Sequence, residues 1–200
     1  MKKNILLLVL FLSLISFIPK TKASTDTAYS YVLMDLDSGR VLKSKNKDTP
    51  LLIASITKIM TAIIAIENKD INDIVTVDES VKKSYGSGIY ISIGEEITLK
   101  DLLYGLMLRS GNDAAIMIST YISGSEESFV KLMNQKAKEI GMKNTIFYNS
   151  SGLDNNTKGN LSTAYDMALL TKYAMQNATY KEIVKTKKYT TKTNLKTYNV

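Results

Sequence analysis

No histidine, cysteine or tryptophan occurs anywhere in these 200 residues, and there are only two prolines. Without imidazole there is no Ser-His-Asp triad and no side chain that ordinarily titrates near neutrality. Without thiol there is neither a cysteine nucleophile nor a disulfide. Zinc sites draw mostly on the same two residue types, so a zinc enzyme is nearly excluded. Nucleophilic catalysis in this chain must therefore run on Ser or Thr, with Lys or a carboxylate as base. Apolar residues are not scarce. A hydrophobic content of 44% is enough for one domain with a core and argues against disorder.

Charge is unevenly placed. Lys2 and Lys3 precede an apolar run from Ile5 to Ile18, and Pro19-Lys20-Thr21-Lys22-Ala23 follows it. A basic start, a short apolar stretch and a small-residue end have the layout of a secretory signal peptide over residues 1–23. The run is shorter than the ~20 residues of a membrane span, which leaves an uncleaved anchor as the alternative. Cleavage after Ala23 would remove four lysines and lower the formal charge from +7 to +3. The expectation is an exported, extracytoplasmic protein, with residues 24–200 as its domain. The remaining basic excess needs no nucleic acid to explain it. The Lys- and Tyr-rich stretch from Lys181 to Lys196 reads as a solvated strand face.

Periodicity outlines the rest. Tyr29 to Leu36, the turn Asp37-Ser38-Gly39 and Val41-Leu42 predict a β-hairpin. Asp35 and Asp37 lack the further oxygen ligands and closing Glu of a calcium loop. Residues 54–67 are apolar on nearly every side, as in a helix buried at a domain's centre. A short strand is expected over Ile71 to Val77, then a glycine-punctuated loop from Ser84 to Gly94. Thr98 is placed to cap a helix running to Leu108, and a further helix is expected from Ala114 to Ile122. Glu126 to Ile140 reads as an amphipathic helix ended by Gly141. Asn149 to Gly159 reads as a loop, and Thr163 with Asp166 as a capping box opening a helix to Met175. The tail from Lys181 is expected as strand. Strands, then helices, then strands predict an α+β fold.

Four serines stand three residues before a lysine: Ser44, Ser55, Ser80 and Ser128. Only Ser55 and Lys58 lie at the entry to a strongly apolar helix, where i and i+3 share a face. Burial there would lower a lysine from its usual ~10.4 and leave a neutral amine to take the serine proton. The bland alternative makes Ser55 an N-cap and Lys58 a solvent-facing residue. Ser110-Gly111-Asn112, between two helices, is either a plain turn or the source of a second hydroxyl and an orienting amide.

Ser55-Ile56-Thr57-Lys58 together with Ser110-Gly111-Asn112 resembles the low-molecular-weight penicillin-binding proteins, specifically the serine-type D-alanyl-D-alanine carboxypeptidases of peptidase family S11. The likeness extends over Ala54 to Ala62, Gly86 to Gly94, Arg109 to Ala115, Gly152-Leu153 and Ser162 to Leu170. It implies an antiparallel sheet flanked by helices with a mostly helical subdomain, the β-lactamase/DD-peptidase-like fold. By the resemblance Ser55 forms an acyl-enzyme, Lys58 accepts its proton, Ser110 relays the proton and Asn112 orients the substrate. The implied substrate is a peptidoglycan stem peptide ending in D-Ala-D-Ala. β-Lactams are the implied covalent inhibitors, and no metal or organic cofactor is implied.

The family's third motif, Lys-Thr-Gly, does not occur. Lys192-Thr193-Asn194 and Lys196-Thr197-Tyr198 share its first two residues only. By the family's order, the chain is expected to be an N-terminal part, poorly stable and essentially inactive alone. Peripheral membrane association would need a C-terminal region beyond it. Two alternatives remain open: a β-lactamase with Glu126, Glu127 or Asp154 as the deacylating carboxylate, and a non-catalytic wall-peptide binder.

Overall fold

The computed structural model describes residues 26–154 and 158–200. The expected leader lies outside the described residues, as do positions 155–157 of the expected loop. Residues 58–68 form α1 (Lys58–Asn68), buried from Met60 to Ala65. Around it pack α2 (Leu99–Leu108), α3 (Asn112–Ser123), α4 (Glu126–Ile140), α5 (Ala164–Ala174) and α6 (Ala178–Lys185). A helix with neighbours on every side has no solvent face to keep polar, which is why its sequence shows almost no polar stripe.

The strands pair as two-stranded antiparallel ribbons among the described residues. They are β1 (Tyr31–Met34) with β2 (Val41–Lys45), β3 (Leu51–Leu52) with β6 (Leu161–Ser162), β4 (Ile74–Thr76) with β5 (Glu96–Thr98), and β7 (Thr190–Lys192) with β8 (Thr197–Asn199). The α+β expectation holds. The first hairpin turns where expected, because Asp35 Oδ1 accepts hydrogen bonds from the Ser38 amide and hydroxyl.

Two local expectations need correction. Thr163 does cap α5, accepting from the Asp166 amide at 3.0 Å. The Asp166 carboxylate, however, does not close a capping box. It accepts instead from the Asn144 amide (2.7 Å) and the Thr145 hydroxyl (2.8 Å). The tail does not begin as strand at Lys181. Asn177 caps a helix there, and Tyr180 and Ile183, three apart, are its buried face. Strand begins only at Thr190. The closing hairpin then docks on the helical part: Tyr189 stacks on Tyr104 at 3.7 Å and donates to Asp101. Tyr198 and Thr193 both donate to the fully buried Glu95.

Candidate active site

The chain leaves β3 through Ile53, whose amide donates to the Asn160 carbonyl at 3.1 Å. Ala54 then takes a left-handed backbone conformation (φ 43°), which is strained for a residue with a Cβ. Residues 54–57 make a 3-10 turn that runs straight into α1. This places Ser55 at the surface, with its N–H among the first of the turn, which find no acceptor within it. One turn on, Lys58 is buried, with 2% of its surface exposed.

The Lys58 amine has three neighbours: the Ser151 carbonyl at 2.6 Å, Asn112 Oδ1 at 2.8 Å and Ser55 Oγ at 3.3 Å. Burial lowers its pKa from 10.5 to about 8, against the pull of the Asp113 carboxylate. A neutral amine has two N–H groups and one lone pair. Two carbonyl oxygens take the N–H groups, so the lone pair is left facing the Ser55 hydroxyl. The solvent-facing alternative for Lys58 is thereby excluded.

Asn112 opens α3 and is itself buried. Its Nδ2 donates to the Tyr85 carbonyl at 2.7 Å, and its backbone N–H to the Ser87 carbonyl at 2.8 Å. Ser110 makes no hydrogen bond to this cluster. It is half-buried with φ 54°, and its hydroxyl has no hydrogen-bond partner among the described residues. It lines a polar cleft with Ser87, Gly88, Tyr90 and Arg109. The structure thus joins Ser55, Lys58 and Asn112 by hydrogen bonds, with Ser110 bonded to none of them.

Several supporting residues escape a reading of the sequence. Ser151 acts through a backbone carbonyl, which carries no residue signature. Its loop is held by Glu126, which accepts from the Ser150 amide (3.0 Å) and hydroxyl (2.6 Å). The Ser150 carbonyl accepts from Thr61 of α1. Asn160, fully buried, donates to the Thr57 hydroxyl and the Asn149 carbonyl and accepts from the Tyr148 and Asn149 amides. It thereby joins the Ser55 turn to the Ser151 loop. Of the three carboxylates weighed for deacylation, Glu126 is engaged with Ser150 and the exposed Glu127 is ion-paired to Lys131. The third, Asp154, adjoins Gly159.

Comparisons with known proteins bear on the family and the fold. A D-alanyl-D-alanine carboxypeptidase of Bacillus subtilis, DacF, is 40% identical over 199 residues, covering 92% of this chain and 50% of its own length. DacC of Escherichia coli is 39% identical, with 76% and 40% covered. The chain therefore spans about half the length of these relatives or less. Among solved structures, a D-alanyl-D-alanine carboxypeptidase from Mycobacterium tuberculosis superposes with a TM-score of 0.84 at 27% identity, covering 92% of this chain and 69% of that one. Penicillin binding protein 6B from E. coli gives 0.78 at 30% identity, with 90% and 60% covered. These bear out the expected penicillin-binding fold. The family profile for D-alanyl-D-alanine carboxypeptidase, peptidase family S11, matches residues 18–200, and the chain belongs to that family.

Proposed function

We propose that this chain carries the nucleophile and base of an exported serine D-alanyl-D-alanine carboxypeptidase acting on peptidoglycan stem peptides. One observation carries the reading: a buried amine, both N–H groups occupied by fixed oxygens, turns its third position to an exposed serine hydroxyl. Ser55 Oγ attacks the carbonyl of the penultimate D-alanine while Lys58 takes its proton. The Ser55 N–H is available to the developing oxyanion. Ser110, in the adjoining cleft, gives its proton to the departing amine of the terminal D-alanine and takes in its place the proton that Lys58 accepted. Water then releases the shortened peptide from Ser55. One Asn112 amide hydrogen remains for a substrate carbonyl while the other is bonded to Tyr85. A β-lactam presents the same kind of carbonyl and acylates the same serine.

The test is labelling of the full-length protein by a fluorescent penicillin. Label should map to Ser55 and vanish in Ser55→Ala. Because only the neutral amine accepts a proton, the acylation rate should climb about tenfold per pH unit below the Lys58 pKa and level off above it. With that pKa at about 8, the bend falls near pH 8. The sign is that of a depressed lysine: acid protonates it and removes the base. Label retained in Ser55→Ala, or a rate flat from pH 6 to 9, would overturn the assignment.

A further inference from the structure

Asn112 can serve Lys58 only in one orientation of its amide. A half-turn would set its NH₂ against the lysine amine and its oxygen against the Tyr85 carbonyl, donor to donor and acceptor to acceptor. That orientation therefore depends on where the loop holding Tyr85 and Ser87 sits. The loop is held by Asp113. Its buried carboxylate accepts from three successive amides, Ile89 at 3.1 Å, Tyr90 at 2.5 Å and Ile91 at 3.3 Å, and from Ala114 at 2.8 Å. Tyr90 adopts φ 60°, unfavourable for an aromatic residue, and these bonds offset that strain. Gly88 fits because it lacks a side chain: a Cβ there would come within 2.9 Å of Asp113 Oδ2.

We infer that Asp113 is a positioning residue for Lys58: its carboxylate ties residues 89–91 to the start of α3, and that loop fixes the Asn112 amide that holds the lysine. The inference rests on Lys58 being the base and adds a residue that touches neither substrate nor reacting atoms. Asp113 also acts on Lys58 through space, its charge favouring the ammonium form that burial opposes. At the same loop Lys196 donates to the Tyr90 carbonyl and the buried Glu95 accepts from the Ser92 amide, with Tyr198 bonded to Glu95. Glu126 of α4 is bonded to Ser150, Asp166 of α5 to Asn144 and Thr145, and Lys83 lies exposed on the turn before the loop.

Two substitutions separate the two routes. Asp113→Asn removes the charge and turns one acceptor into a donor facing amide donors. Gly88→Ala leaves the charge and pushes a methyl group onto the carboxylate. In the full-length protein, the Lys58 amine is titrated by the NMR shift of its 13Cε carbon, with no acylating agent present. Acylation by fluorescent penicillin is timed separately on the high-pH plateau. Asp113→Asn should lower both the titration midpoint and the plateau, the latter at least tenfold. Gly88→Ala should lower the plateau while leaving the midpoint in place, and both should speed amide exchange at residues 89–91. A residue that merely supports the fold would lower the melting temperature without moving the midpoint. A wild-type plateau in either variant, or unchanged amide exchange at residues 89–91 in both, overturns the inference. The titration and the exchange read it even if Ser55 proves unreactive, an outcome that would sink the proposed function separately.

Discussion

Lys58→Met is expected to slow acylation of Ser55 by about 10²- to 10⁴-fold, the usual contribution of a positioned base. Methionine matches the lysine stem in length and lies comfortably in a site where 2% of the side chain's residue is exposed. It removes a charge that burial already disfavours. It also strips Asn112 Oδ1 and the Ser151 carbonyl of their donor, at a cost of about 1–3 kcal/mol for each acceptor left unpaired. Some loss of stability is thus expected alongside the loss of rate. Lys58→Arg separates the two effects. A guanidinium restores donors to both oxygens but stays protonated at every working pH, so it cannot accept the serine proton. If Lys58 is the base, both variants fail on the acylation plateau at pH 9. If the lysine serves only as a cation that holds the site together, Lys58→Arg keeps most of the rate.

How much of this could be read beforehand depended on whether a residue acts by its side chain or its backbone. The α1 core, the Thr98 cap and the Gly141 end of α4 were legible because each rests on local periodicity or local hydrogen bonding; the Asp101 half of the Thr98 capping box was not read. Ser55, Lys58 and Asn112 were legible as chemistry, though spacing alone could not choose among four serine–lysine pairs. The apolar surroundings of Lys58 singled out its pair, and the lysine is buried as those surroundings imply. Ser151 and Asn160 were not legible. One contributes a carbonyl that any residue has, and the other is an ordinary asparagine until residues 57, 148 and 149 close around it. Helix α6 was missed because the Lys-, Thr- and Tyr-rich composition of the whole tail from Lys181 outweighed Tyr180 and Ile183, whose spacing marks a buried stripe only two residues deep. Asp166 shows the limit of a motif: its sequence context suits a capping box, yet a tertiary donor pair claims the carboxylate.

Gly152→Ala should disable the site without touching a catalytic side chain. Gly152 has φ 84°, and a Cβ built on it would lie 1.9 Å from the Ala54 carbonyl oxygen, 2.4 Å from its carbon and 3.0 Å from the Ser55 nitrogen. The obstacle is backbone, which cannot rotate away. Neither side yields easily. The Ala54 turn is itself left-handed, and Gly152 is held by a 2.6 Å bond from its amide to Asn149 Oδ1, with Asn149 bonded in turn to Leu153. If the loop gives way, the Ser151 carbonyl leaves Lys58; if the turn gives way, Ser55 leaves it. Left-handed strain of about 1–2 kcal/mol and overpacking of about 1–3 kcal/mol should both register in the melting temperature. A displacement near 1 Å at the nucleophile should cost about a hundredfold in acylation. Gly124→Ala is the control, because Gly124 has a similar φ of 74° with nothing within 4 Å of its virtual Cβ. It should carry the conformational penalty alone and acylate at the wild-type rate. Equal acylation rates in the two variants would mean that the close approach of Gly152 to the Ala54–Ser55 peptide does not hold the nucleophile in place.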